Sequence, residues 1–453
     1  MKKALIIITV IFNLPINLYG WENKLTHPAI TEQEITGSAT KVDDYLKSQL
    51  GLSGGTATQL YWNFPSDIET RMMENKMFDP AKTKTILDWL IAGSSIEDED
   101  GRKYSWRPRH HFYDPIRNSG LDNHADHPDW SLHPFSNWLP LGQSALNWTI
   151  LGTALQEPFT NNEKWANARS IFYDSFRSTI KSVRNAQLAE TMLKLGCIMH
   201  MLEDMGVPAH TRNDFLFAHY RSAIDNHNPL ENWAEIQVKA NNGDIPSGWL
   251  TGWTSQAKVF DKISKYWDTD SDTSIYIGSP SSAWGLAEQT NYQFLSTSTV
   301  FGCAGTLYQF PNPAKTNTVL ISELRTGGEE LYRYFQGYGV QHLARESYTH
   351  YFADEHGVYD EAIDSTNTPD DNSVYQDYVR VTVPRTIDYA TGLLNYFFRG
   401  RLEIEPNCLD CNTVTFFIRN DSNNSGVAQT LKGGQCHILS LQRIDIILWY
   451  ELY

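Results

Sequence analysis

The residues of this chain that could do chemistry are histidines and carboxylates. They fall mainly in four short segments: Leu25-Thr-His-Pro-Ala-Ile30, His110-His-Phe-Tyr-Asp-Pro115, His200-Met-Leu-Glu-Asp204 and His227-Asn-Pro-Leu-Glu231. Read in order, with the positions between them, they give His27, Asp98, His111, His200, Asp204, His210, His227 and Glu231 as metal-ligand candidates. Neutral imidazole and carboxylate are the ligands zinc takes when cysteine is absent. A set this large suits more than one ion, and clustered divalent ions point to phosphoester hydrolysis.

The spacing of the set says which elements must position it. His200 and Asp204 are four apart, so on a helix both project from one face. They interrupt a helix that is otherwise apolar at three- and four-residue steps: Leu188, Met192, Leu195, Ile198, Met199 and Leu202. Buried ionisable groups are costly unless paired or bound to metal, which separates this pair from an ordinary solvated face. Gly206 and Pro208 stop the helix, and the turn returns His210 toward the first two. His227 and Glu231 repeat the four-residue step at the start of a helix expected near Pro229. His111 lies in a loop among aromatic neighbours that could wall a site, with His110 beside it as a surface or supporting residue. Asp98 ends a helical stretch, and Glu97, Glu99 and Asp100 compete with it for the same role. His124, His127, His133, His342, His350 and His356 have no partner at a diagnostic spacing.

Around these motifs the pattern is mainly helical. Residues 27–50 and 80–93 carry helical apolar spacing, and 162–206 reads as two long helices, Trp165 to Val183 and Ala186 to Met205. Helical spacing returns at 328–352 and 384–398. The stretch 101–145, rich in Pro, His, Trp and Asn, reads as ordered loop. After Arg401 the character changes: Thr413-Val-Thr-Phe-Phe-Ile418 is a strand, followed by a polar turn. The expected fold is thus mainly α with a small C-terminal β module. The expected division is 1–20 leader, 21–270 helical catalytic domain, 271–401 mixed helical extension packing on or near it, and 402–453 β module.

The chain has 453 residues, 41% hydrophobic and 20% charged, with a formal charge of −16. The N-terminus, with Lys2 and Lys3, an apolar run from Ala4 to Phe12 and a small residue at Gly20, reads as a cleavable secretory signal. Cleavage there would make Trp21 the first residue, lower the formal charge to −18 and place the protein in the periplasm or outside the cell. So acidic a surface argues against a stable nucleic-acid partner. No internal stretch is long and apolar enough for a membrane span. Cys408 and Cys411 have CxxC spacing with no second pair, so they read as a local disulfide or as residues without a functional role.

The ordered set from Trp21 to Glu231 resembles the bacterial zinc-dependent phospholipase C family, whose fold is shared with the S1/P1 nucleases. The resemblance covers about 21–240, roughly half of the chain. It implies three zinc ions and a multi-helix catalytic domain. In that family the N-terminal tryptophan supplies its amine and carbonyl to zinc. By resemblance, Trp21, His27 and Asp204 would hold one ion, with Asp204 bridging to a second held by Asp98, His111 and His200. His210, His227 and Glu231 would hold the third. Asp98 would also be the general base. The HxxxE ending and the His-Phe-Tyr-Asp-Pro loop resemble the phospholipase side more than the nuclease side. The implied reaction is cleavage of glycerophospholipid on the glycerol side of the phosphate, at a membrane or micelle surface, giving diacylglycerol and a phosphorylated headgroup. Lys24, Glu99 and Pro108 stand where choline-selective relatives carry an acidic residue and two aromatics, so a choline-binding aromatic box is not evident. The rival readings are a zinc nuclease of the same fold and a non-catalytic exported protein stabilised by zinc. Headgroup preference and oligomeric state are not set by these residues.

Overall fold

The computed structural model describes residues 24–76, 79–99, 107–121, 142–150, 161–214, 229–269, 283–296, 318–324, 331–345 and 372–400, and strand segments from 402 onward. The leader, Trp21, Asp100 and His227 lie outside them, as do the side chains of Cys408 and Cys411.

The described chain is mostly helical, with small antiparallel sheets concentrated toward its C-terminal part. The helices are α1 (Thr26–Thr36), α2 (Val42–Ser48), α3 (Ser66–Asn75), α4 (Ile86–Ile96), α5 (Ala145–Ile150), α6 (Trp165–Arg177), α7 (Lys181–Glu203), α8 (Pro208–Thr211), α9 (Pro229–Ala240), α10 (Leu286–Gln293) and α11 (Asn372–Phe397). Strands β1 (Gln59–Tyr61) and β2 (Thr83–Thr85) pair before α4. A three-stranded antiparallel sheet follows later: β3 (Thr318–Leu324), β4 (Leu331–Gly337) and β5 (Val340–Arg345). Beyond α11, β6 (Leu402–Asp410) and β7 (Thr413–Asn420) form a hairpin, and shorter pairs follow it. Among the described residues no helix is long and apolar enough to cross a membrane.

Two helices carry the architecture. Helix α4 starts on a capping box, in which the Thr85 hydroxyl accepts from the Asp88 amide and Asp88 accepts from the Thr85 amide. Helix α7 is buried on all sides from Thr191 onward, and it ends in a tight turn at Asp204–Gly206 before Pro208 opens α8. The two cross backbone to backbone. A β-carbon on Gly93 would lie 2.0 Å from the Leu193 carbonyl oxygen, and one on Gly196 would lie 2.0 Å from that of Leu90. Only glycine at both positions permits this approach. The Cys197 thiol donates to the Gly93 carbonyl at the same crossing, 3.3 Å away.

The apolar core forms two clusters. One surrounds α4 and α7 and includes Trp89, Trp148, Trp165, Trp267 and Phe397. The other joins α1, α9 and α11 to β4 and β5. Met205 belongs to the first cluster, Val207 and Ala209 to the second, so the turn carrying Asp204 and His210 passes between them. Helix α11 shares this core rather than standing apart. Thr391 donates to the Glu34 carbonyl and Asn395 to the Ala39 carbonyl of the α1–α2 segment.

Several sequence expectations need correction. The helical stretch expected over 27–50 breaks at Gly37–Lys41 into α1 and α2. The stretch 80–93 begins as strand β2 and becomes helical only at Ile86. The break between α6 and α7 falls at Ser178–Ile180, where the Ser178 hydroxyl accepts from the Ile180 amide and competes with the helix. Residues 331–345 are a hairpin, not a helix. Tyr338 and Gly339 take φ of 54° and 90°, the left-handed pair of a two-residue hairpin turn. The aromatic and β-branched residues flanking them suit strands. Helix α11 begins twelve residues before Pro384, at Asn372, and runs through that proline instead of starting at it.

Candidate metal centre

The ligand candidates are delivered by element ends, His200 and Asp204 by the same end of α7. His27 sits in the first turn of α1, Asp98 just past the end of α4, His111 after a short turn at Pro108–His110, His200 in the last turn of α7, and Asp204 in the turn that ends it. His27, Asp98, His111, His200 and Asp204 are all buried. Ligand atoms of His27, Asp98 and His200 lie within 4.8 Å of one another, and so do those of His111, His200 and Asp204.

The contacts show one connected cluster. Asp204 Oδ1 is 3.2 Å from His27 Nε2, and its Oδ2 is 2.8 Å from His111 Nδ1 and 3.5 Å from His200 Nε2. Asp98 offers one oxygen to His111 Nδ1 at 3.2 Å and the other to His200 Nε2 at 3.5 Å. The His111 Nδ1 and His200 Nε2 atoms are 3.2 Å apart. The rings of His27 and His200 stack with centroids 3.7 Å apart. His210 Nε2 meets Glu231 Oε1 at 3.3 Å, as a separate pair. His27 gathers with Asp98 and His200 as well as with Asp204.

The far side of three imidazoles is fixed by a hydrogen bond. Nδ1 of His27 meets Glu203 Oε2, Nδ1 of His200 meets the Ser94 carbonyl at 2.5 Å, and Nδ1 of His210 meets the His111 carbonyl at 2.8 Å. With the proton on Nδ1, the Nε2 lone pairs of His27 and His200 face the cluster and that of His210 faces Glu231, which is the orientation a metal ligand needs. Glu203 is held in turn by the Thr31 hydroxyl at 2.8 Å. Burial, with the neighbouring Glu203 carboxylate, pushes Glu34 well above the usual carboxylate range. Burial pushes Glu203 up to about 8.

Burial also sets the charge state of the cluster itself. It pushes His27, His111 and His200 well below the ordinary histidine range, so these imidazoles are neutral near pH 7. It pushes Asp98 well up, with Asp204 adding to the effect. A divalent cation would reverse this by favouring the ionised carboxylates. The donor set fits such an ion. His27 Nε2 and both Asp98 oxygens are buried without a hydrogen-bond partner, a costly arrangement that a shared cation would relieve.

The structure also separates the competing acids. Glu97 turns to Arg107, Arg71 and the Trp148 indole, and Glu99 turns toward Asn75. Asp98 meets His111 and His200. His110, expected at the surface or in support, is fully buried and stacks on Trp148 at 3.9 Å. Sequence reasoning missed Glu203 and Ser94, which orient His27 and His200. Glu203 was findable as an acid inside an apolar helix. Ser94 acts through its carbonyl, which no side-chain pattern reveals. His342 is also partnered, at 2.9 Å from Asp377 and 3.1 Å from Glu323, but its two nitrogens face different carboxylates.

No protein-family model matches the chain, and no curated protein matches it. Among solved structures, the alpha toxin from Clostridium absonum aligns over 83% of this chain at 15% identity, with a TM-score of 0.32. The aligned chain spans 64% of the toxin's length.

Proposed function

We propose that this chain is a zinc-dependent phosphodiester hydrolase, and that it acts as a phospholipase C on glycerophospholipids. The observation that carries the reading is the burial of three neutral imidazoles and two carboxylates with their ligand atoms converging. His27, Asp98, His111, His200 and Asp204 would hold zinc, and His210 with Glu231 would contribute to a further ion. Trp21 and His227 complete the set by resemblance. Three ions is the expected number.

Zinc held there would supply Lewis acidity toward the phosphoryl oxygens of the substrate. The protein's own contributions are separate. Asp98 would accept a proton from the attacking water, since it lies at the centre of the cluster between His111 and His200. Neutral His27, His111 and His200 keep their lone pairs available without competition from protons near pH 7. Glu203, Ser94 and the His111 carbonyl hold the rings in place, so little reorganisation accompanies the reaction. The apolar walls, including Phe112 stacked on His210 at 4.5 Å, keep bulk water from the ligands.

Lys24, Glu99 and Pro108 do not form an aromatic cage, so choline need not be the preferred headgroup. The test is hydrolysis by the protein beginning at Trp21, loaded with zinc, offered mixed phospholipid vesicles and single-stranded DNA in parallel. Diacylglycerol release that stops on chelation supports the phospholipase reading. Degradation of DNA at lower enzyme concentration than phospholipid would overturn it in favour of a nuclease. Zinc binding with neither reaction would favour the zinc-stabilised binding protein.

A further inference from the structure

A second buried polar cluster lies directly behind Asp98, and its arrangement gives it a task. The last carbonyls of a helix have no partner within the helix. At the end of α4 these carbonyls are taken by side chains from elsewhere. Asn75 donates to Ser95 at 2.9 Å, Arg71 to Ile96 at 2.8 and 3.2 Å, and Arg107 to the Glu97 carbonyl at 2.8 Å. Two guanidiniums at a helix C-terminus also complement its dipole. Arg107 goes further, placing one terminal nitrogen 2.5 Å from both Glu97 oxygens and the other 3.1 Å from Glu163. Arg71 reaches both of those carboxylates at 3.5 Å. Burial opposes ionisation of Glu163, but the Arg107 and Arg71 charges outweigh it and hold its carboxyl at about 2.

Arg107 stands immediately before the turn Pro108–His110, which delivers His111. Glu97 stands immediately before Asp98. Trp148 closes the arrangement, donating to Glu97 at 3.3 Å while stacking on His110.

We propose that Arg107 is a positioning residue that fixes Asp98 and His111 relative to each other, by clamping the end of α4 to the turn that carries His111. The proposal rests on the reading of Asp98 and His111 as zinc ligands. A fork-shaped guanidinium is required, because three of its nitrogens act at once; lysine keeps the charge but offers a single point of attachment.

The test is zinc titration of the full chain by calorimetry, with urea unfolding run on each variant. Asp98→Asn should bind zinc weakly, which secures the underlying reading. Arg107→Lys and Arg107→Gln should each lose about 10- to 100-fold in zinc affinity, the range for residues that orient ligands. Val383→Ala, in the other core cluster, serves as a destabilised control and should keep wild-type affinity. Wild-type affinity in Arg107→Lys, with Asp98→Asn impaired, would overturn the positioning role and leave the metal reading intact. Equal loss in Val383→Ala would reduce the Arg107 effect to general destabilisation and also overturn it. No zinc binding by the wild-type chain would overturn both readings together.

Discussion

The crossing of α4 and α7 predicts what a single methyl group should do to the site. In Gly196→Ala the new β-carbon would sit 2.0 Å from the Leu90 oxygen, 2.8 Å from the Ser94 nitrogen and 2.9 Å from the Gly93 α-carbon. All three neighbours are backbone, so no side chain can swing away. Relief requires the helices to part by about 1.4 Å to reach ordinary contact near 3.4 Å. Overpacking of this kind costs about 1–3 kcal/mol, and more where the backbone is trapped. The same displacement moves Ser94, whose carbonyl orients His200, and Asp98 four residues on. An error of about 1 Å in a reacting site costs on the order of 100-fold in rate. Gly196→Ala should therefore unfold at lower urea and also bind zinc more weakly. Gly248→Ala, where an added β-carbon meets nothing within 4 Å, should change neither. Wild-type stability and zinc affinity in Gly196→Ala would refute the argument that this crossing sets the geometry of the centre.

Other expectations follow from the same structure. Asp204→Asn should keep its helical circular dichroism while binding fewer zinc ions by mass spectrometry, because Asp204 faces three histidines at once. Zinc at about 1,000 times its dissociation constant should stabilise the wild-type chain by about 4 kcal/mol, and a chelator should remove that gain in a thermal melt. One residue added before Trp21 should displace the terminal amine and weaken one ion; full zinc occupancy in that variant would exclude N-terminal ligation. The His342–Asp377 pair gives a pH dependence with a definite sign. The hydrogen bond to Asp377 raises the His342 pKa, so its contribution is complete below the ordinary value of 6.5 and is lost as pH rises through the raised folded value. Burial opposes ionisation of Asp377, but hydrogen bonds from His342 hold its carboxyl low, so its contribution is lost only in acid. The urea midpoint of the wild type, relative to His342→Gln, should thus fall from slightly acid to alkaline pH. A constant difference between them would remove His342 from the stability account.

Much of this arrangement was legible in the sequence because periodicity fixes direction. His200 and Asp204 had to share a face once the apolar steps of α7 were recognised, and Gly206 with Pro208 had to end that helix nearby. Four consecutive acids beyond the end of α4, Glu97 to Asp100, were not decidable in this way. Outside a regular element, spacing no longer says where a side chain points, and only the guanidiniums beside Glu97 leave Asp98 to the histidines. The 331–345 hairpin was hidden because its apolar residues fit helical steps about as well as strand steps. The turn does carry Gly339, but its first left-handed residue is Tyr338, where Asn, Asp or Gly is the usual signal. Arg107 stood unread in a loop rich in proline and histidine, since its partners are 10 and 56 residues away.

The most direct test of the central claim is anomalous diffraction at the zinc edge from crystals of the protein beginning at Trp21. The account predicts strong peaks within ligand distance of His27, Asp98, His111, His200 and Asp204, with a further peak beside His210 and Glu231. Crystals from zinc-containing solution with no peak among those five side chains would contradict it.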